Sequence, residues 1–173
     1  IEMQARAREL SQGADDPEVK KTALLDSGDV YFNKREYERA VGFYEDFINK
    51  YPDDPRADRA HYQAGLALYR QEFFTEAIKK WSVILARYRN SSLAPEANFQ
   101  VARTYFGLGQ YQQAYGSFRR VTEMYAGTPL AKESLLMMGQ CHYNAGDIPR
   151  AIDQYKAFME KYPDDEKTGE VQE

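Results

Sequence analysis

Chemically reactive side chains are scarce in this chain of 173 residues. Its single cysteine, Cys141, excludes an intramolecular disulfide and any zinc cluster built from several cysteines. The two histidines, His61 and His142, leave little material for a histidine-rich metal site. Apolar runs extend to about four residues, whereas a membrane-spanning helix needs about 20. We therefore expect no direct membrane insertion by this chain.

Positive charge is also in short supply. The chain carries 27 acidic and 23 basic residues, which gives a formal net charge of −4. Nucleic-acid binders that depend on bulk charge need an excess of lysine and arginine, so no nucleic-acid partner is expected. Hydrophobic residues make up 43% of the chain and charged residues 29%, which is typical of a folded globular protein. Tyrosine is abundant, with 14 residues against one tryptophan.

A constant step of 37 residues organises the chain. Ala40 and Ala77 stand 37 residues apart, and the same step leads to Ala114 and Ala151. Four more series share this step and keep one kind of side chain each: small residues (Gly28, Gly65, Ala102, Gly139), aromatic residues (Tyr44, Trp81, Phe118, Tyr155), apolar residues (Phe47, Ile84, Val121, Phe158) and tyrosines (Tyr51, Tyr88, Tyr125, Tyr162). The chain therefore contains four copies of one structural unit, without insertion or deletion.

Each copy predicts a pair of helices. Ala40, Tyr44, Phe47 and Tyr51 fall at i, i+4, i+7 and i+11, which is a helical stripe and not a strand alternation. The first helices are expected at about 21–34, 56–71, 92–107 and 129–144, and the second helices at about 37–51, 74–88, 111–125 and 148–162. The fold class is therefore all-α.

Caps and turns mark the ends of these helices. Asp54 and Thr128 each precede a proline suited to a first helical turn, and Asp147 is expected to cap the last second helix. The turns inside the third and fourth copies offer residues that accept a positive φ, namely Gly107, Gly109, Asn144 and Gly146. The small series that contains Gly28 is expected where each first helix meets its second helix, with the aromatic series filling the space beside it.

At these residues the sequence resembles the tetratricopeptide repeat family. The family pattern is matched in the first copy by Gly28, Tyr37, Ala40, Tyr44 and Pro52. This resemblance implies a right-handed superhelical α-solenoid of four stacked helix-turn-helix repeats, at about 21–57, 58–94, 95–131 and 132–165. The common repeat has about 34 residues, so the additional three lengthen the junction between copies.

The junction suggests a finer resemblance. Residues 50–55 read Lys-Tyr-Pro-Asp-Asp-Pro, and residues 161–165 read Lys-Tyr-Pro-Asp-Asp. This pattern is similar to a bacterial envelope subgroup that includes the coordinator protein of the Tol–Pal system and the lipoprotein of the outer-membrane β-barrel assembly machine. The resemblance implies a location in the bacterial periplasm or cell envelope, with the cytoplasm as the alternative.

The ends do not form further complete copies. Residues 1–20 are expected to hold a flanking helix or the end of a degenerate upstream repeat, and residues 166–173 a tail or the start of another helix. The last second helix carries an apolar face where a terminal repeat is normally polar. This possible self-association face consists of Ile152, Tyr155, Phe158 and Met159.

We find no arrangement of residues that suggests catalysis. His61 and His142 occupy different positions within their copies, and Cys141 falls at a small packing position. The acidic pairs lie in loops without the spacing of a calcium-binding loop, and the Gly-Leu-Gly at 107–109 does not follow a strand. No enzymatic activity, catalytic residue, cofactor or metal site is expected.

The resemblance also implies a binding groove lined by the first helices. Mapping the family's ligand-facing positions onto this chain gives a partner-binding groove of Leu25, Phe32, Arg59, Tyr62, Tyr69, Arg70, Phe99, Arg103, Phe106, Leu136, Gln140 and Tyr143. The twelfth position of each copy is aromatic and would present one ring per copy to a peptide. The alternative is that these rings pack against neighbouring helices and bind nothing.

Two functions remain open. The first is a non-catalytic protein-interaction scaffold that binds a peptide segment or helix of a partner in the groove, within a bacterial cell-envelope complex. The second is a structural module that self-associates through the terminal helix or the groove, which would make it a homo-oligomer.

Overall fold

The computed structural model describes residues 16–167, which form eight α-helices and no strand. The helices are α1 (Pro17–Asn33), α2 (Tyr37–Lys50), α3 (Ala57–Arg70), α4 (Phe74–Arg87), α5 (Ala94–Gly107), α6 (Tyr111–Met124), α7 (Pro129–Asn144) and α8 (Ile148–Lys161). The predicted all-α repeat of helical pairs is confirmed. The expectation of a separate segment over residues 1–20 is corrected at 17–20, which belong to α1. The expectations for the rest of 1–20 and for most of 166–173 fall on residues 1–15 and 168–173, which lie outside the described residues.

The chain divides into two compact units, with the boundary after Val83 inside α4. In the first unit α1 packs on α2 and α2 packs on α3. In the second unit α5 packs on α6, α6 on α7, and α7 on α8. Each unit therefore builds its core from neighbouring antiparallel helices, as the short connections require.

The turn inside every helical pair has the same hydrogen bonds. In α1–α2 the Glu36 N–H donates to the Tyr31 carbonyl at 2.9 Å, and the Arg35 N–H donates to the Phe32 carbonyl at 2.9 Å. These two hydrogen bonds together form the Schellman motif, which needs one residue with a left-handed backbone conformation. The four residues at that position are Arg35 (φ 61), Glu72 (φ 64), Gly109 (φ 72) and Gly146 (φ 79).

Of the residues predicted to accept a positive φ, Gly109 and Gly146 adopt one, whereas Gly107 and Asn144 do not. Gly107 and Asn144 are the last residues of α5 and α7 and are helical. The sequence pattern pointed to glycine and asparagine, whereas the structure places Arg35 and Glu72 in the left-handed region as well. The hydrogen bonds of the motif require a left-handed conformation at the second residue after each first helix, whichever side chain that residue carries.

The junctions between copies share a hydrogen bond from a backbone N–H to a polar side chain that precedes it. Asp54 accepts from the Arg56 N–H at 3.0 Å, Ser91 from the Leu93 N–H at 3.0 Å, and Thr128 from the Ala131 N–H at 3.2 Å. In the last junction Asp165 accepts from the Lys167 N–H at 3.0 Å. Each of these side chains satisfies a backbone donor at the start of a helix or just before it.

Two of the three predicted N-caps are confirmed. Thr128 caps α7, and Asp147 caps α8 by accepting from the Arg150 N–H at 3.3 Å. The prediction for Asp54 is wrong, because α3 begins two residues after Pro55, at Ala57. Asp54 closes the turn before the helix instead.

The small series lies beneath an aromatic ring, as predicted. A methyl group added at Gly28 would lie less than 3.0 Å from the Tyr44 ring, and one at Gly65 equally close to Trp81. In the fourth pair the same relation joins Gly139 and Tyr155. The absence of a side chain on α1, α3 and α7 therefore lets the second helix of each pair approach closely.

Candidate interaction surface

In the first unit, the most accessible of the predicted groove residues lie on α3, while Phe32 on α1 is half-buried. Arg59, Tyr69 and Arg70 are exposed, and Tyr62 is half-buried. Tyr62 and Tyr69 are seven residues apart, so both lie on one face of the helix. The Tyr62 carbonyl also accepts from the Trp81 indole N–H at 3.2 Å, which fixes the backbone behind this face.

In the second unit, α5 and α7 each contribute a pair of accessible groove residues. Arg103 is exposed and Phe106 is half-buried on α5, while Gln140 is half-buried and Tyr143 exposed on α7. The members of each pair are three residues apart and share a helix face. The Tyr143 side chain is 60% exposed, which makes it the most accessible ring of the predicted groove.

The aromatic residue at the twelfth position packs inside its own helical pair. The ring centroids of Phe32 and Tyr37 are 5.4 Å apart, those of Tyr69 and Phe74 5.2 Å, and those of Phe106 and Tyr111 5.5 Å. All three contacts are edge-to-face, at 65–68° between the ring planes. Such pairs stabilise a fold by about 0.5–1.5 kcal/mol beyond the area they bury. These rings therefore have a packing role, and only part of each ring is open to a partner.

The fourth pair lacks this ring contact. The residue that would match Tyr37 there is Ile148, which is itself exposed. Tyr143 consequently lies largely free of its own helical pair. It is the twelfth-position ring that can contact a partner at the lowest cost in lost packing.

Three predicted groove residues lie in the core. Leu25, Phe99 and Leu136 are buried, with at most 7% of their surface exposed. Phe99 packs edge-to-face on Phe118 at 5.7 Å. All three side chains are buried in the core of their unit, so little of their surface is open to a partner. The expectation that they face a ligand is corrected, and the accessible surface consists of the remaining positions.

Arg59 is held by an acidic residue of its own unit. It forms an ion pair with Asp29, which also accepts a hydrogen bond from the Tyr44 hydroxyl at 2.7 Å. Burial, and then this contact with Asp29, raise the pKa of Tyr44 well above its usual range. By contrast, Arg70 and Arg103 form no ion pair with any residue in the described range 16–167. They are the groove arginines best able to meet a carboxylate of a partner.

The predicted self-association face is smaller than expected. On α8, Ile152 is 47% exposed, and Tyr155 and Met159 are half-buried. Phe158 is buried and packs against Tyr162, with ring centroids 5.4 Å apart. Phe158 is therefore a core residue and not part of an exposed face. Ile152 is then the main apolar side chain that this face offers to a partner.

The cysteine and the two histidines are packed against other parts of the protein. The Cys141 thiol is buried, and this burial raises its pKa to about 12. His142 packs on the Tyr115 ring with centroids 4.7 Å apart, and His61 is buried on α3. Within the described part of the chain no group of histidine, cysteine and carboxylate side chains could hold a metal ion. None of the helices described has the length and apolar character needed to cross a bilayer.

Comparison with known proteins agrees with this geometry. Family models described as tetratricopeptide repeat match residues 22–54, and again residues 62–114 and 99–166. The chain belongs to the tetratricopeptide repeat family. The resemblance inferred from the small, aromatic and alanine series is thereby confirmed. The comparison with curated proteins finds no match.

Solved structures share the fold. MamA is 20% identical, with a TM-score of 0.67 over 91% of this chain and 86% of that one. YrrB, a TPR protein with an unusual peptide-binding site, is 21% identical, with a TM-score of 0.61 over 91% and 74%. A repeat protein from Parabacteroides merdae is 15% identical, with a TM-score of 0.71 over 88% and 57%. At these identities the likeness establishes the fold alone.

The sequence pattern missed one feature of this surface. Asp29 and Arg59 are 30 residues apart, and their ion pair depends on how α1 and α3 are placed around α2. A signal was present in the exchange of Asp29 for Arg103 at the same repeat position two copies later. The residue 30 positions after Arg103 is Glu133, which is acidic where Arg59 is basic.

Proposed function

We propose that this chain is a non-catalytic protein-interaction module that binds a peptide segment or helix of a partner protein. Each unit offers its own accessible groove residues, with Tyr69 and Arg70 as the main contacts in the first unit, and Arg103 and Tyr143 in the second. The observation that carries the proposal is the exposure of Tyr143 beside residues that are otherwise well packed. Exposed tyrosine and arginine side chains are the residue types that most often dominate binding energies.

The chemistry of the surface supports a peptide over a small molecule. Rings offer large contact areas with little loss of side-chain entropy, and unpaired arginines offer fixed hydrogen-bond donors. The family membership supports the same function, because solenoid repeats use extended surfaces for binding. The peptide-binding site named for YrrB belongs to that protein and supports the proposal by analogy of fold.

A selection from a random peptide library tests this function. Peptides selected on the wild-type chain should bind the Tyr143→Ala variant at least tenfold more weakly, as measured by fluorescence anisotropy. Leu108→Ala is the matched control, because Leu108 is an exposed apolar residue of the same unit that lies outside the predicted groove. Equal binding to wild type and Tyr143→Ala, or an equal loss in both variants, would refute the groove assignment.

A second candidate function is self-association. Its supporting observation is the exposure of Ile152 and Ile148 on α8. A second copy of the chain would cover these side chains. In sedimentation experiments across a wide concentration range the wild type should then change mass while Ile152→Lys stays monomeric, and a constant wild-type mass would reject this candidate.

The proposed setting is a complex of the bacterial periplasm or cell envelope. Its support is the resemblance of the junctions at 50–55 and 161–165 to envelope repeat proteins. Fractionation of cells that express the full gene, followed by immunoblotting, tests the location. Recovery of the protein in the cytoplasmic fraction would contradict it.

A further inference from the structure

A cleft in the second unit lies apart from the proposed groove. It has a volume of about 280 Å³ and is bounded by the end of α4, the start of α5 and the end of α6. Leu85, Ala94 and Met124 form its apolar walls, and its polar lining consists of Arg89, Asn98, Arg120 and Tyr125. The cleft contains no acidic side chain among its lining residues.

Asn98 is the unusual member of this lining. Its side chain is 1% exposed, yet within residues 16–167 neither its amide nitrogen nor its amide oxygen has a hydrogen-bond partner. A buried amide without partners destabilises a fold, because its interactions with water are lost and not replaced. The amide therefore has unused capacity to donate and to accept a hydrogen bond.

Two guanidinium groups share the cleft with this amide. Neither Arg89 nor Arg120 forms an ion pair with a residue of the described range, and both are exposed. The Arg120 charge acts on the Tyr125 phenol, since it lowers a pKa that burial raises. Arg120 and Tyr125 therefore lie near each other, as their shared lining of the cleft also indicates.

The other copies do not repeat this combination. In the other three copies, the position equivalent to Asn98 is occupied by Leu24, His61 and Leu135. The position equivalent to Arg120 is occupied by Asp46, Val83 and Ala157. The position of Arg89 is occupied by Pro52, Ala126 and Pro163 in turn. The tyrosine alone is common to all four copies, so packing of the repeat does not require the amide or the arginines.

From this geometry we propose that the cleft is a carboxylate-binding site, which takes an acidic residue of a peptide partner. Two arginines supply charge-assisted hydrogen bonds, the Asn98 amide supplies a further donor, and the Tyr125 hydroxyl completes the set. The apolar walls accommodate the methylene groups of an aspartate or glutamate side chain. The site rests on the proposed peptide-binding function and adds a second contact point to it.

Titration by NMR tests the cleft directly on the full chain. The readout is the side-chain NH₂ resonance of Asn98, and the probe is N-acetyl-glutamate N-methylamide. We expect a saturable shift at millimolar probe concentration, and at least a tenfold weaker response to the neutral glutamine analogue. A shift of equal size and midpoint with both analogues would overturn the proposal.

Matched variants locate the charge that binds. Arg120→Gln and Arg89→Gln change exposed side chains, so both variants should fold. Each should lower the affinity for the glutamate probe at least fivefold. Arg119→Gln is the control, because Arg119 is adjacent in sequence, exposed, and engaged with Glu123 at 3.3 Å. Equal weakening by Arg119→Gln and Arg120→Gln would overturn the proposal.

Two further probes identify the source of the carboxylate. N-acetylglycine represents the free end of a chain, and tighter binding of this probe would assign the site to a partner's C-terminus. Inorganic phosphate at the same concentration should shift the Asn98 side-chain resonance less than either carboxylate probe does. An equal or larger shift would overturn the carboxylate assignment. These outcomes are independent of Tyr143→Ala, so failure of the cleft and failure of the groove are distinguishable.

Discussion

The two compact units build the same helical pair with different side chains. In the first unit the ring above the small residue is anchored by a hydrogen bond, from Tyr44 to Asp29 and from Trp81 to the Tyr62 carbonyl. In the second unit the pair α5–α6 places Phe118, which has no such donor, opposite Ala102. In the α7–α8 pair Gly139 again lies beneath a ring, that of Tyr155. Glycine therefore accompanies the three rings that carry a polar group, and alanine accompanies the phenylalanine.

The largest expected effect comes from Gly28→Ala. The added methyl group would lie less than 3.0 Å from the anchored Tyr44 ring, and overpacking of this kind costs about 1–3 kcal/mol. Gly42→Ala is the control on α2, because nothing lies within 4 Å of its added methyl group. It should stabilise the helix by about 0.5–1 kcal/mol, and urea unfolding measures both free energies.

The same substitution in a Tyr44→Phe background tests the anchoring itself. Without its hydroxyl, the ring loses the bond to Asp29 that holds it above Gly28. The cost of Gly28→Ala should therefore be smaller in this background than in the wild type. An equal cost in both backgrounds would contradict a role for the hydrogen bond.

The next effect concerns the acidic residue of the first junction, Asp54. Its buried carboxylate accepts from the Arg56 guanidinium at 2.8 Å and pairs with Lys21 at 3.0 Å. Hydrogen bonds from Arg56 hold the pKa of Asp54 well below its usual range. Since hydrogen bonds to a charged group contribute about 1.5–3 kcal/mol, Asp54→Asn should lower the free energy of unfolding by a similar amount.

The pH dependence of this contribution has a defined sign. Because the folded-state pKa is lowered, the stabilisation is complete above the unfolded-state pKa of about 4 and is lost as the pH falls below it. Urea unfolding between pH 7 and pH 3 should therefore show a steeper loss for the wild type than for Asp54→Asn. In the second unit Asp165 lies at the same position with Lys132 at 2.6 Å, but it is more exposed, so Asp165→Asn should change the profile less.

A smaller effect is expected at the turn of the second unit. Gly109 has a φ of 72°, and a left-handed backbone costs an ordinary residue about 1–2 kcal/mol. Gly109→Ala should therefore destabilise the chain by about 1 kcal/mol. Gly116→Ala is the control within the same unit, because it is helical and has free space around it. A similar change in both variants, measured by thermal unfolding, would argue against the role of the turn.

The smallest effect is a gain in the first unit. Glu72 occupies the same turn position with a φ of 64°. Glu72→Gly should relieve this strain. Part of the gain is offset because glycine raises the conformational entropy of the unfolded chain, so about 0.5 kcal/mol of net stabilisation should remain. Glu76→Gly lies nearby in the first turn of α4 and should destabilise instead, because glycine is a poor helix former. Loss of stability in Glu72→Gly would contradict the assignment of strain.

The sequence predicted the fold well because the repeat presents each local rule four times. Thr128 and Asp147 cap their helices as expected, since capping depends on residues two or three positions apart. Arg35 and Glu72 escaped prediction because neither is a residue type that favours a positive φ. Their conformation follows from the hydrogen bonds of the turn and not from their own preference.

The candidate surface was less predictable than the fold. A helix face can be assigned from spacing, but the depth of burial depends on the neighbouring helix, and so Leu25 and Phe158 turned out to lie in the core. The cleft around Asn98 joins residues of three helices, and nothing in their spacing suggests that they meet. Such constellations depend on the tertiary arrangement, which a single sequence does not reveal.

The burial of Cys141 makes the chain convenient for spectroscopic labelling. Its thiol is enclosed, and a pKa of about 12 leaves almost no thiolate at neutral pH. A maleimide dye should therefore ignore the native thiol and react with a cysteine introduced at an exposed site. One fluorophore near Tyr143 and, in a separate sample, one near Arg89 could then report on peptide docking without first removing the native cysteine.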